Sequence, residues 1–240
     1  MSVPERVVIS GAGCCTALGH DLDSVARSLR EGRDAFRASG ALEGLSVCPA
    51  EDWGQDGARQ QFEGWRHRHY LNRGSRMAVL SGLRALRDAG LEAGLPVRSQ
   101  IIAAVGPMLD VTGEPGLPPQ DTATLGALWL LRWLPNTAAG ALARFARCHG
   151  EALTVNAACA SALQALGEGW RRIRFGLADA VLVAAGDSRL SLGGLLGYHK
   201  ARALSLCAPG TGPRPFDMGR DGFVPGEGGA AFVLESLSSA

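Results

Sequence analysis

The sequence has no CxxC pair and no Cys/His cluster at zinc spacing, so its six cysteines do not read as a metal site. It has no apolar run long enough to span a membrane. IIAAVGPML and ADAVLVAAG are far too short, and LGALWLLRWL is interrupted by Arg132. The N-terminal MSVPERVVIS lacks the basic n-region and long apolar h-region of a secretory signal. A leaderless chain is expected to be cytoplasmic, with Cys14, Cys15, Cys48, Cys148, Cys159 and Cys207 reduced and mostly packed as small apolar side chains. Excess charge of one sign is also missing. The 24 Lys+Arg and 23 Asp+Glu leave a formal charge of +1 and no like-charge run, so neither nucleic acid nor a membrane surface is expected as partner. Aromatics are scarce, with 7 Phe and 2 Tyr, which leaves Ala, Leu and Val to build the core.

What is present fits a globular chain. The 240 residues are 46% hydrophobic and 20% charged, enough for a buried core, and one domain over 1–240 is the simplest parse. The 33 glycines argue for many tight turns. ERVVISGAG reads as a short buried strand ending in glycines. HDLDSVARSLREG follows as a helix with Asp21 as N-cap and Gly32 as stop. Residues 37–64 have no strong period and read as loop with short elements. NRGSRMAVLSGLRALRDAGL has helical spacing and ends at Gly90. SQIIAAVG is a second strand. DVTGEPGLPPQDTAT, with three prolines and two glycines, is a loop.

LGALWLLRWLPN then predicts a helix stopped by Pro135, and TAAGALARFARCHG another. EALTVNAAC is a third strand, ASALQALGEGWRRIRFG a third long helix, and ADAVLVAAGD a fourth strand. After a loop region, GGAAFVLES is the fifth strand. Apolar strands alternating with helices place the fold in the α/β class, a parallel-based sheet covered on both faces.

Four clusters have candidate chemistry. GAGCCT lies between a strand and a helix, but Thr16 stands where a dinucleotide fingerprint needs its third glycine, so a tight turn is the better reading. Cys159, in TVNAACASAL, lies between a strand and a helix. Unpaired N–H groups and the dipole at a helix start stabilise a thiolate and can hold the oxyanion of an attacked thioester. Ala157, Ala158, Ala160 and Ser161 leave room for a sharp turn and an acyl chain. Position alone would still favour a buried structural thiol. Arg171, Arg172 and Arg174 form either a basic patch for an acidic partner or a solvated helix end. Phe216, Asp217, Arg220, Asp221 and Glu227, among glycines, read as a charge-pairing loop, and Asp187 as a loop cap.

Together these segments resemble the β-ketoacyl-acyl carrier protein synthases, condensing enzymes of the thiolase-like fold. VVISGAGCCTALGHDLDSVARSLREGRDAF is similar to the family's opening strand, glycine turn and first helix, and LPNTAAG to its Pro-Asn helix junction. TVNAACASAL resembles the segment around the acylated cysteine, and RPFDMGRDGFVPGEGGAAFVLE the family's most recognisable string. The resemblance covers essentially the whole chain. It implies a thiolase-like half-domain with a five-stranded mixed sheet and helices on both faces, and it puts the nucleophile on Cys159. The implied chemistry is carbon–carbon bond formation. An acyl group passes from a carrier protein to the cysteine, and a decarboxylated malonyl unit on a second carrier protein then attacks it. No metal or nucleotide cofactor is implied. The partners implied are acyl and malonyl carrier proteins and a second ketosynthase-like chain or half. Dimerisation would run through the strand at Glu151–Ala158.

Family members are longer, with two similar halves, and the catalytic histidines come from the second. This sequence resembles the first half and stops after FVLESLSSA. None of His20, His67, His69, His149 or His199 sits in a matching motif. Alone, the chain is expected to be inactive in condensation. It is the N-terminal half of a synthase, a non-condensing partner of one, or a scaffold. The helix Ala160–Gly176, with Leu163, Leu166, Trp170 and Ile173 on one face and Ala162, Ala165 and Gly169 elsewhere, wants cover on both sides.

Overall fold

The computed structural model describes residues 5–107, 127–206 and 212–240. Cys207 and the proline-rich loop over 110–124 lie outside the described residues. Five strands form one sheet in the order β1 (Val7–Thr16), β7 (Glu227–Ser236), β6 (Ala180–Ser188), β4 (Ser99–Val105), β5 (Ala152–Thr154). β4 runs parallel to both β5 and β6, whereas β7 is antiparallel to β6 and to β1. The sheet is therefore mixed. The parallel half is where helical crossovers separate the strands, and the antiparallel half is where the chain returns through the long 201–226 segment.

One face is covered by α3 (Arg73–Asp88), flanked by α2 (Gly57–Gly64) and α4 (Thr137–Phe145). Twelve α3 residues from Gly74 to Leu86 are buried, so this helix is the centre of the larger core. Its N-cap is Asn72, whose side chain accepts from the Ser75 N–H at 2.8 Å. The other face is covered by α5 (Ser161–Arg174), which packs Ala165 and Ile173 on Ile102, Val181, Val183 and Leu234. α1 (Leu22–Arg30) is capped by Asp21 in a reciprocal box with Ser24, and Gly32 follows it at φ +63°. A two-stranded ribbon, β2 (Arg37–Ala38) with β3 (Ser46–Val47), fills part of the 37–64 region.

Several expectations need correction. The GAGCCT stretch is not a turn, because β1 continues through it to Thr16 and pairs Cys14 and Cys15 with Ala230 and Gly229 of β7. The helix expected over LGALWLLRWLPN reduces, among the described residues, to a 3₁₀ turn at Trp129–Arg132. Leu128 before it is left-handed at φ 60°, which an α-helix cannot accommodate. The loop after β6 contains a helix, α6 (Leu192–Lys200), capped by Ser191. Its LGGLLGYHK sequence has no amphipathic period. The third strand is only three residues long. Lastly, α5 divides its apolar residues between two sides. Ala165, Gly169 and Ile173 meet the sheet, while Leu163 and Trp170 are 74% and 45% exposed.

Candidate active site

The three parallel strands β4, β5 and β6 end at the same edge of the sheet. A crevice beyond the carboxyl ends of such strands is the usual ligand position in α/β sheets. Here a cleft of about 580 Å³ lies at that edge. It is lined by Ala104–Gly106 at the end of β4, by Asn156, Ala158 and Cys159 after β5, and by Ala185–Asp187 at the end of β6 with Arg189 just beyond it. Thr16, Ser161, Ala162, Tyr198 and Gly228–Ala230 complete the walls.

Cys159 sits in a 3₁₀ turn, Ala158–Ala160, between β5 and α5. The helix expected from Ala160 begins at Ser161, so Cys159 precedes α5 by two residues. Ala158 adopts φ +49°, a left-handed conformation that costs a non-glycine residue about 1–2 kcal/mol. Strain of this kind persists where the surroundings enforce it. Ser161 does so here, because its hydroxyl accepts from the Ala157 N–H at 2.7 Å and donates to the Ala158 carbonyl at 2.7 Å. From the sequence Ser161 reads only as a small neighbour. The elbow lifts Cys159 into the open, so that it is the exposed thiol among the described cysteines. Among the described residues its backbone N–H has no intramolecular partner, leaving a donor beside the thiol.

The other described cysteines differ. Burial pushes the Cys15 thiol up to about 11, and burial also raises Cys14, Cys48 and Cys148. Such thiols are poor nucleophiles at neutral pH. Iodoacetamide is therefore expected to label Cys159 first in the folded chain, with Cys14 and Cys15 reacting only on unfolding. Peptide mapping by mass spectrometry checks the order, and early labelling of Cys15 would contradict it.

None of His20, His67, His69, His149 and His199 lines the cleft. His67 and His69 belong to an aromatic cluster with Trp65 and Tyr70 instead. The three helix arginines are largely spent on their neighbours. Arg171 and Arg172 both bond Glu168 at 2.9 Å, Arg172 also pairs with Glu151, and Arg174 lies 5.5 Å over the Trp170 ring. The solvated helix end is therefore the better reading of that cluster. Asp187 caps the end of β6, accepting from Ser188 N–H at 3.0 Å, and also binds Arg189 Nε at 2.9 Å. Glu227, with 1% of its side chain exposed, is bound by Arg73, Ser188 and the Ala50 N–H, so its carboxylate braces structure. Asp221 likewise accepts from the Ser205 hydroxyl and the Leu206 N–H, while Phe216 projects into solvent, 99% exposed. Among the described residues no group of three or more His, Cys, Asp or Glu is placed to hold a metal ion, and no helix is long and apolar enough to cross a membrane.

Residues 4–240 match the family model described as Beta-ketoacyl synthase, N-terminal domain. A 3-oxoacyl-[acyl-carrier-protein] synthase 2 from Synechocystis sp. is 28% identical over 246 residues, covering 98% of this chain and 59% of the relative. The crystal structure of a beta-ketoacyl synthase from Burkholderia phymatum STM815 superposes with a TM-score of 0.79 at 26% identity, covering 98% of this chain and 60% of that one. The ishigamide ketosynthase/chain length factor gives 0.78 at 26%, covering 99% and 60%. This chain thus spans 59–60% of the length of these proteins.

Proposed function

The chain belongs to the beta-ketoacyl synthase family, and from that premise we propose that it is the acyl-accepting half of a condensing enzyme, residues 1–240 forming the N-terminal ketosynthase domain. The observation that carries the reading is Cys159, exposed on a strained elbow at the mouth of the cleft. In the first step the Cys159 thiolate attacks the thioester carbonyl of an acyl carrier protein. The new carbon–sulfur bond forms, the carrier's sulfur leaves, and that sulfur takes up a proton. The Cys159 N–H, without a partner among the described residues, is one donor for the oxyanion in between. In the second step a malonyl unit on another carrier protein loses CO₂. Its carbanion attacks the acyl carbonyl and expels the cysteine thiolate.

The second step needs groups that stabilise charge during decarboxylation. No histidine lines the cleft among the described residues, so a second half or partner chain supplies them. Two surfaces support such a partner. The outer side of α5 presents Leu163 and Trp170, and Phe175 and Leu177 follow, all 45–74% exposed. Among the described residues β5 is an edge strand bonded only to β4, leaving its outer edge open for the pairing expected through Glu151–Ala158 across a dimer. A non-condensing, chain-length-factor-like role is less well supported, because the chain keeps its cysteine and exposes it.

The chain incubated with acyl and malonyl carrier proteins is expected to become acylated yet release no β-ketoacyl product. Product should appear only when a complementary half is added. Condensation by the chain alone would contradict the half-enzyme reading.

A further inference from the structure

The cleft around Cys159 has an uneven chemistry. Most of its wall is small and apolar, with Ala104, Val105, Ala162, Ala185 and Ala230. One side carries a guanidinium. The Arg189 side chain is only 16% exposed. Its Nε binds Asp187 Oδ2 at 2.9 Å and its Nη1 donates to the Pro107 carbonyl at 3.0 Å. Its Nη2 overhangs Gly106, where a Cβ would lie 2.1 Å away, and among the described residues it donates to no protein acceptor. Half-buried Tyr198 faces the same cleft from α6, and its ring packs edge-on against Phe223 at 5.2 Å. Arg189 and Tyr198 thus give this cleft two side chains with polar hydrogens in an otherwise small and apolar wall.

A saturated chain would strip water from these donors and return nothing, which is unfavourable. A chain bearing a neutral carbonyl oxygen would restore the lost hydrogen bonds. A chain tipped with a carboxylate would meet Asp187, which already neutralises Arg189. We infer that Arg189 and Tyr198 set the specificity of this cleft, selecting acyl chains that carry a neutral keto oxygen over saturated or acid-tipped chains. The inference rests on the acyl-accepting reading of Cys159 and names its substrate class. Its volume, about 580 Å³, lies in the range of small-ligand sites.

Three pantetheine thioesters of equal length test it, namely hexanoyl, 5-oxohexanoyl and 5-carboxypentanoyl. Acylation of the full chain is followed by intact mass, and affinity is followed by ligand-observed NMR with the Cys159→Ala chain. The 5-oxohexanoyl thioester is expected to react and bind about tenfold better than either of the others, the scale of a hydrogen bond to a charged donor. Arg189→Met should abolish that preference. Tyr198→Phe, which deletes one oxygen and leaves the ring packing intact, should weaken it. Equal behaviour of hexanoyl and 5-oxohexanoyl overturns the inference, and so does a preference unchanged in both variants. If no thioester acylates Cys159 but binding keeps its order, the acyl-accepting reading fails and the specificity stands. If binding shows no order, the specificity fails whatever Cys159 does.

Discussion

Arg73→Ala is expected to destabilise the chain by about 3–5 kcal/mol, because it leaves a buried carboxylate without its cation. Glu227 sits at the start of β7 with 1% of its side chain exposed. Arg73 Nε and Nη2 grip its two oxygens at 2.6 and 2.5 Å. The Ser188 hydroxyl adds a bond at 2.6 Å and the Ala50 N–H another at 3.0 Å. The site joins α3, β6, β7 and the 48–54 segment, so its loss uncouples elements that, among the described residues, no other single group ties together so directly. The pair is asymmetric. Arg73 is half-exposed and stacks 5.1 Å from the Trp53 ring, so after Glu227→Gln it can recover water. That variant should cost about 1–3 kcal/mol, the penalty of weakened hydrogen bonds. Urea unfolding of both variants measures the difference. Equal costs would show that the carboxylate is not the buried, dependent partner.

The second large effect comes from glycine. Gly11 and Gly13 in β1, Gly186 in β6 and Gly229 in β7 all lie under α3. A Cβ on Gly13 would stand 2.3 Å from the Ser81 carbonyl oxygen and 2.6 Å from the Ala85 nitrogen. These are backbone atoms of a buried helix and cannot rotate aside. Gly13→Ala is therefore expected to cost about 3 kcal/mol, the upper range of overpacking. In a chain of this size that lowers the melting temperature by about 6–12 °C. Gly140→Ala is the control. Gly140 lies in α4 with nothing within 4 Å of its Cβ position, so alanine should stabilise by about 0.5–1 kcal/mol. A melting temperature unchanged by Gly13→Ala would mean that α3 does not rest on the sheet as closely as described.

The same glycines mark where the sequence was misread. Glycine in a sequence suggests a turn, because positive φ is its commonest local use. Gly11 and Gly13 are instead held for close approach by a helix some 70 residues away, which no local window contains. Local chemistry, by contrast, was legible. Asp21 as a cap, α3 from its period and the existence of the five strands of the main sheet follow from the sequence, since each depends on neighbours within one or two turns, whereas the bounds of β1 and β5 do not. β7's antiparallel pairing is not visible in the alternation of strands and helices, and the family resemblance implies only a mixed sheet without saying which strand runs against the others. α6 was missed because three glycines in LGGLLGYHK erase its period.

At the site, the strand–helix junction and small neighbours single out Cys159, but that position alone favours a structural thiol, and the nucleophile role is put on it by the family resemblance. Arg189 and Tyr198 were not singled out. They enter the cleft only because β4, β5 and β6 end together, a property of the assembled sheet. Ser161 was seen for its size, whereas its role depends on the unusual φ of Ala158.

The central claim is that Cys159 carries an acyl group. Intact-protein mass spectrometry of the chain and of its Cys159→Ala variant, each incubated with an acyl carrier protein thioester, tests it most directly. The account predicts a single acyl adduct on the first and none on the second, with both folded. A folded chain that stays unmodified, or an adduct that survives Cys159→Ala, would contradict it.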